Sequence, residues 1–164
     1  MTKSEQFYSG QNKIAAYDHE SQELMLDAME FDDINSQPFT LPEIVYLLRN
    51  TFKKPKTHRE VLDEPEMDSN ADPARGFCMI SSYLIYSMTG GDKVWDIQGT
   101  SLHWWLYHKQ THMRFDITHT QFNPQQLRNQ YASGKNIKLQ NTDPMFYDIL
   151  QKRAHILAQH AGLE

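Results

Sequence analysis

Two short runs in the middle of the chain, Leu102 to Tyr107 and His112 to Thr118, do most to limit what it can fold into. They flank the polar tip His108-Lys109-Gln110-Thr111, the pattern of a β-hairpin. With Tyr107 opposite His112, Trp105 faces Arg114 and His103 faces Asp116. Trp104, Leu106, Met113, Phe115 and Ile117 then fall together on the other face, and every one is apolar. Such a face needs a cover. The segment Gly76 to Met88, with Ile80, Tyr83, Leu84, Ile85, Tyr86 and Met88, reads as a helix apolar nearly all round, which marks it as central and buried. Gly90-Gly91 closes it, and Val94 to Ile97 reads as a further strand. The expected fold is α+β, a small antiparallel sheet with a central helix that carries Cys78 at its start.

The flanking segments are read from caps and spacing. Residues 1–17 are polar and expected to be loose. From Asp18 the spacing of Leu24, Leu26, Ala28, Met29 and Phe31 predicts a helix. Thr40 followed by Glu43 has the form of a capping box, with Ile44, Val45, Leu47, Leu48 and Phe52 as the apolar face of a second helix. Residues 53–75, with a lysine run and three prolines, read as a long, mostly irregular connection leading into Cys78. Asn123-Pro124 and Asp143-Pro144 each combine an N-cap with Pro at the first helical position. They open a short polar helix ending near Gly134 and a longer one whose Phe146, Ile149, Leu150, Arg153 and Leu157 share a face. That last stripe covers the sheet or meets a partner.

With 164 residues and 39% hydrophobic content, a core can form without disulfides, and a single domain over residues 1–164 is expected. One cysteine makes no internal disulfide, so nothing points to an oxidising compartment. The start Met1-Thr2-Lys3-Ser4-Glu5-Gln6 lacks a secretory apolar run, and no segment is apolar for the length of a membrane helix. A cytoplasmic location is the expectation. A formal net charge of -5 disfavours nucleic acid and anionic membranes as partners and leaves a protein or peptide substrate.

The chemistry centres on Cys78. A thiol is a good nucleophile only as thiolate, and a helix N-terminus favours the anion through its dipole and free N–H groups. His103 would act as base and Asp116 would orient it, since opposed residues on paired strands lie within reach of an imidazole–carboxylate bond. The competing reading is that a free cysteine simply packs. His119 is a rival base because it follows Asp116 closely. Of the eight histidines, His103, His108, His112 and His119 lie nearest one another. They lack the helical spacing of a metal pair, and His108 and His112 are expected at the exposed tip. No metal or cofactor is called for. Trp105, on the His103 face, is the candidate wall of a substrate cleft, and Gln98 and Gln121 are candidate oxyanion donors beside the Cys78 amide.

The order Cys, His, Asp is shared by papain-like and transglutaminase-like thiol enzymes. The stretch Gly76 to Phe122 also resembles the YunG-like family of small bacterial proteins. That family runs G-x-C, an apolar helix closed by G-G, H-x-W and then D-x-T-x-x-Q-F. Here these are Gly76-Phe77-Cys78, Gly90-Gly91, His103-Trp104-Trp105 and Asp116-Ile117-Thr118-His119-Thr120-Gln121-Phe122. Leu106 stands where the family often has asparagine. The resemblance implies a compact papain-like or transglutaminase-like core with Cys78, His103 and Asp116 as triad. The expected function is therefore a cysteine-dependent hydrolase or acyl-transferring enzyme acting on an amide or related acyl bond, as a peptidase, deamidase or transferase. A bacterial or phage interaction factor that uses the same cleft without catalysis is the alternative.

Overall fold

A computed structural model describes residues 15–18, 23–26, 35–36, 39–68 and 70–164, the first three segments as backbone only. Strands β1 (Ala15–Asp18) and β2 (Glu23–Leu26) form a hairpin, and β3 (Asn35–Ser36) pairs with β4 (Phe39–Thr40). Helices α1 (Leu41–Phe52), α2 (Pro55–Leu62) and α3 (Cys78–Met88) follow, then β5 (Trp95–Gly99), β6 (Trp104–His108) and β7 (Met113–Asp116). The chain closes with α4 (Pro124–Ser133), β8 (Lys135–Asn136) and α5 (Pro144–His160). The fold is α+β. The main sheet has the antiparallel order β2-β1-β7-β6-β5-β8, so the strands nearest the centre come from the middle of the chain.

One layer lies between two others. α3 packs against β6 and β5 on one side and against α5 on the other. The main core gathers Ile80, Leu84 and Ile85 of α3, Trp104, Leu106, Met113, Phe115 and Ile117 of the hairpin, and Leu150, Ala154, Leu157 and Ala158 of α5. All five hairpin residues expected on the apolar face are in it. On the opposite sheet face Trp105, Leu127 and Tyr131 form a smaller core under α4, so that face is covered rather than open. α5 packs mainly on α3 and α2 and meets the sheet through the edge-on contact of Phe146 with Trp104, ring centroids 5.9 Å apart. Its buried stripe is displaced from the expected one, with Phe146 and Ile149 exposed at its edge.

The hairpin register differs from expectation by two residues. Leu106 is opposite Phe115 and Tyr107 is opposite Arg114. β6 continues through His108, which is buried against Trp95 at 5.2 Å between ring centroids rather than exposed at the tip. The turn is shifted to residues 109–112 and closes with the His112 N–H donating to the His108 carbonyl at 2.9 Å, His112 itself taking a left-handed φ of 61°. A slip of two keeps every side chain on its face, which is why the apolar sorting survives it.

Two further expectations are corrected. Residues 15–18 and 23–26 are strands rather than loose chain and helix; the remainder of the expected loose segment and helix lies outside the described residues. Residues 53–75 are mostly irregular, as expected, but they contain one helix that the expectation lacked: Pro55 at the first helical position opens α2, whose Thr57, His58 and Val61 are buried. Asp63 ends it in a left-handed conformation at φ 56°. The Thr40–Glu43 capping box and the Asn123 and Asp143 caps stand as read, and Gln126 completes a second capping box with Asn123.

Candidate active site

Cys78 is the first residue of α3, and the residue before it is held on two sides. Phe77, fully buried, stacks on Phe52 of α1 with ring centroids 4.5 Å apart and takes the edge of His58 of α2 at 5.1 Å. The His58 Nε2–H donates to the Phe52 carbonyl at 2.6 Å, which joins the end of α1 to α2. The Ser81 hydroxyl donates to the Phe77 carbonyl at 2.7 Å, and the Ser82 hydroxyl reaches the Trp104 carbonyl at 3.4 Å. Thus the start of α3 is tied to the strand that follows His103.

His103 is set by the short turn between β5 and β6. The Thr100 N–H donates to the His103 carbonyl at 2.9 Å, while the Thr100 hydroxyl oxygen accepts from the His103 N–H at 3.3 Å. Gly99 lets the chain close this tightly, since a Cβ there would meet the His103 carbonyl oxygen at 2.8 Å. The imidazole is entirely buried, with Trp105 at 5.7 Å and the edge of Phe122 at 4.8 Å between ring centroids.

Asp116 ends β7 and is 2% exposed. Extending the observed register sets it opposite Trp105, so its partner His103 lies on the diagonal rather than directly across. The two still meet. The His103 Nε2–H donates to Asp116 Oδ2 at 2.6 Å, and the Tyr131 hydroxyl of α4 donates to the same oxygen at 2.7 Å. Oδ1 accepts from the Thr118 N–H and hydroxyl, both at 3.2 Å. Four donors around one carboxylate satisfy a buried charge that would otherwise be costly.

The electrostatics follow from this geometry. Burial alone would raise the Asp116 pKa, but the His103 charge and hydrogen bond, the His119 charge and the Tyr131 hydroxyl hold it below the usual carboxylate value. Burial opposes the His103 cation, and the Asp116 charge and hydrogen bond overcome it, with the Cys78 side chain adding to the effect. The imidazole is pushed up to about 10. Its Nδ1 makes no hydrogen bond among the described residues. Nε2 is therefore fixed on the carboxylate, Nδ1 carries no hydrogen bond, and the Cys78 side chain is near enough to help raise the imidazole pKa.

Of the residues read from the sequence, Cys78, His103 and Asp116 come together. His119 stands close enough to attract Asp116 but leaves the direct bond to His103. Trp105 is fully buried against Tyr131, with centroids 4.8 Å apart, so it is a wall behind His103 rather than an open cleft surface. Gln98 accepts from the Trp105 indole N–H at 3.0 Å and donates to Asn136 at 3.0 Å, and Gln121 donates to the Thr118 carbonyl at 3.1 Å. Gln98 joins neighbouring strands and Gln121 braces the turn after Asp116, and neither is set as an oxyanion donor. Among the described residues no three His, Cys, Asp or Glu side chains converge as metal ligands would, and no helix is long and apolar enough to cross a membrane.

Sequence reasoning missed Tyr131, Thr118 and Arg49. Tyr131 sits in a helix that read as polar, one turn before its end, and only its burial beside Trp105 reveals it. Arg49, 8% exposed, donates to the Ile117 carbonyl at 3.2 Å and so supports the turn after Asp116.

Among known families, the one described as YunG protein matches residues 41–159. Neither the curated proteins nor the solved structures yield a match.

Proposed function

The chain belongs to the YunG family, and from that premise we propose that it is a cysteine-dependent hydrolase or acyl-transferring enzyme built on a papain-like or transglutaminase-like core. The observation that carries the reading is the buried His103–Asp116 pair, with Nε2 committed to the carboxylate at 2.6 Å, Nδ1 without a hydrogen bond among the described residues, and the Cys78 side chain near enough to help raise the imidazole pKa. In the proposed reaction His103 Nδ1 takes the thiol proton, and the Cys78 sulfur attacks the carbonyl carbon of an amide or related acyl group. The carbonyl oxygen, now anionic, is held by the Cys78 backbone N–H at the start of α3. Collapse expels the leaving amine, which takes the proton back from His103, and a thioester remains. Water or an acceptor amine attacks it next, losing a proton to His103 as the Cys78 thiolate leaves. Asp116 keeps the imidazole oriented and stabilises its cation throughout. Peptidase, deamidase and transferase chemistry share these steps and differ in the second nucleophile and the leaving group.

A non-catalytic binding module is the other reading, favoured by the low exposure of Cys78 at 7%. Thiol reactivity separates them. Iodoacetamide should alkylate native Cys78 measurably at pH 6, as a nucleophile paired with His103 requires. His103→Ala should slow that reaction at pH 6 by about tenfold or more. A thiol that stays inert until urea unfolds the chain would overturn the catalytic reading.

A further inference from the structure

The end of α3 away from Cys78 borders a space that the proposed chemistry does not use. Tyr86 lies about 12 Å along the helix axis from the thiol position. Around it is a cavity of about 480 Å³, with Tyr83 and Tyr86 on α3, Tyr147 on α5, Asp92 on the turn after α3, and residues 139–142 closing another side. Its size falls in the range of small-molecule sites, about 300–1,000 Å³. Segments far apart in sequence thus bring three half-buried tyrosines to one place. Tyr83 and Tyr147 meet nearly at right angles, with ring centroids 6.0 Å apart and planes at 74°.

Charge and hydrogen bonding set the kind of ligand. Among the described residues that line the cavity there is no Lys, Arg or His, and the exposed Asp92 supplies the charge. Its Oδ1 accepts from the Tyr86 hydroxyl, which leaves Oδ2 to meet a cation. Burial, with that bond, pushes the Tyr86 phenol above its ordinary value, so it stays neutral and donating. The Ser87 hydroxyl donates to the Leu84 carbonyl at 2.9 Å, and the Thr142 hydroxyl to the Leu139 carbonyl at 2.6 Å. These three hydroxyls have given their hydrogens to the protein and meet the cavity as acceptors. Lys109, on the neighbouring strand, donates to the Asp92 carbonyl rather than to its carboxylate, and its ion pair is with Asp96 at 3.6 Å.

We infer that this cavity binds an organic ammonium ion, its charge beside Asp92 and its alkyl groups against the tyrosine rings. A neutral hydroxyl can also donate to a carboxylate, but only a cation is drawn by both the carboxylate and the aromatic rings. An anion is repelled by the same groups. The site stands apart from Cys78 and does not depend on the thiol chemistry.

The test follows amide chemical shifts of the full chain as choline, ethanolamine or dimethylbutanol is added at constant ionic strength. Choline offers a quaternary ammonium and ethanolamine a primary one, while the alcohol is choline's neutral analogue with carbon in place of nitrogen. At least one cation should bind about tenfold more tightly than the alcohol and shift the amides of Tyr86, Asp92 and Gln140. The tighter of the two shows whether the nitrogen is fully alkylated or bears hydrogens. Asp92→Asn, at an exposed position, should weaken cation binding about tenfold and leave the alcohol unchanged. Tyr147→Leu removes one ring and should weaken the tighter cation about fivefold, its fold being checked by the same spectra. Equal binding of the alcohol, shifts centred elsewhere, no binding by either cation, or indifference to Asp92→Asn or to a folded Tyr147→Leu would each overturn the site.

Discussion

At the scale of single residues, Asp116 has two roles that one would expect to separate by mutation. It orients His103, and it is the acceptor for four hydrogen bonds that join β7, its following turn and α4. Asp116→Asn should therefore impair both chemistry and stability. An amide cannot accept at both ends, and the His103 cation would lose its buried partner; breaking such a pair costs about 3–5 kcal/mol. Tyr131→Phe isolates the smaller part. It removes one donor to a charged acceptor without changing the His103–Asp116 bond, and should cost about 1.5–3 kcal/mol in urea unfolding while leaving Cys78 alkylation within about twofold. A larger fall in alkylation would make Tyr131 a positioning residue for the imidazole. Cys78, His103 and Asp116 were legible as candidates because each sits beside a local signal: a helix start, and two strands whose apolar residues sort to one face. Tyr131 and Arg49 were not, because they reach Asp116 and its turn from segments 15 and 67 positions away, and no local pattern encodes such a meeting.

At the scale of elements, what sequence pattern predicted well was face and boundary. A capping box located the start of α1, and an N-cap followed by Pro located the start of α4, because both signals are local to a few residues. Parity placed the hairpin residues correctly, but period two cannot tell a register from one slipped by two. The packing of His108 on Trp95 lengthens β6 and selects the observed one. α2 was hidden by its charge, since only Thr57, His58 and Val61 face inward from a run that otherwise reads as a basic loop. Of the N-terminal hairpin, β1 was read as loose chain and β2 as helix, because Leu24, Leu26, Ala28, Met29 and Phe31 satisfy a loose helical spacing; pairing of β1 with β2 and with β7 makes them strands. One element contact gives a direct test. α4 ends at Gly134, where a Cβ would overlap the Trp105 indole and where φ is an ordinary -68°. Gly134→Ala should thus act by overpacking alone, costing about 1–3 kcal/mol in urea unfolding. A neutral effect would show that α4 moves freely over Trp105 and that the second core is not tightly packed.

At the scale of the whole molecule, the buried pair ties folding to pH with a sign that can be derived. The folded His103 pKa is raised from 6.5 to about 10, so its contribution to stability is complete below pH 6.5 and is lost as pH rises toward 10. The folded Asp116 pKa is lowered from 3.8, so its contribution is complete above that value and is lost as pH falls through the folded pKa. Between these limits, from about pH 4 to 6.5, the pair contributes fully. Above pH 6.5 the native state holds a proton that the unfolded state has released, and stability must decline with pH. Asp116→Asn reverses the direction. Without the carboxylate, burial dominates the imidazole and lowers its folded pKa, so the unfolded state binds the extra proton and stability rises from pH 5 to 7. Both proteins should be measured by urea unfolding between pH 5 and 9.5 in a Cys78→Ala background, which removes titration of the thiol. The remaining ionisable groups are common to the two, so their difference isolates the pair. Its expected form is a difference that is greatest below pH 6.5 and shrinks steadily above it. A difference independent of pH would mean that His103 is neutral in the native state, and the imidazolium that the proposed chemistry holds against the thiol would have to be abandoned.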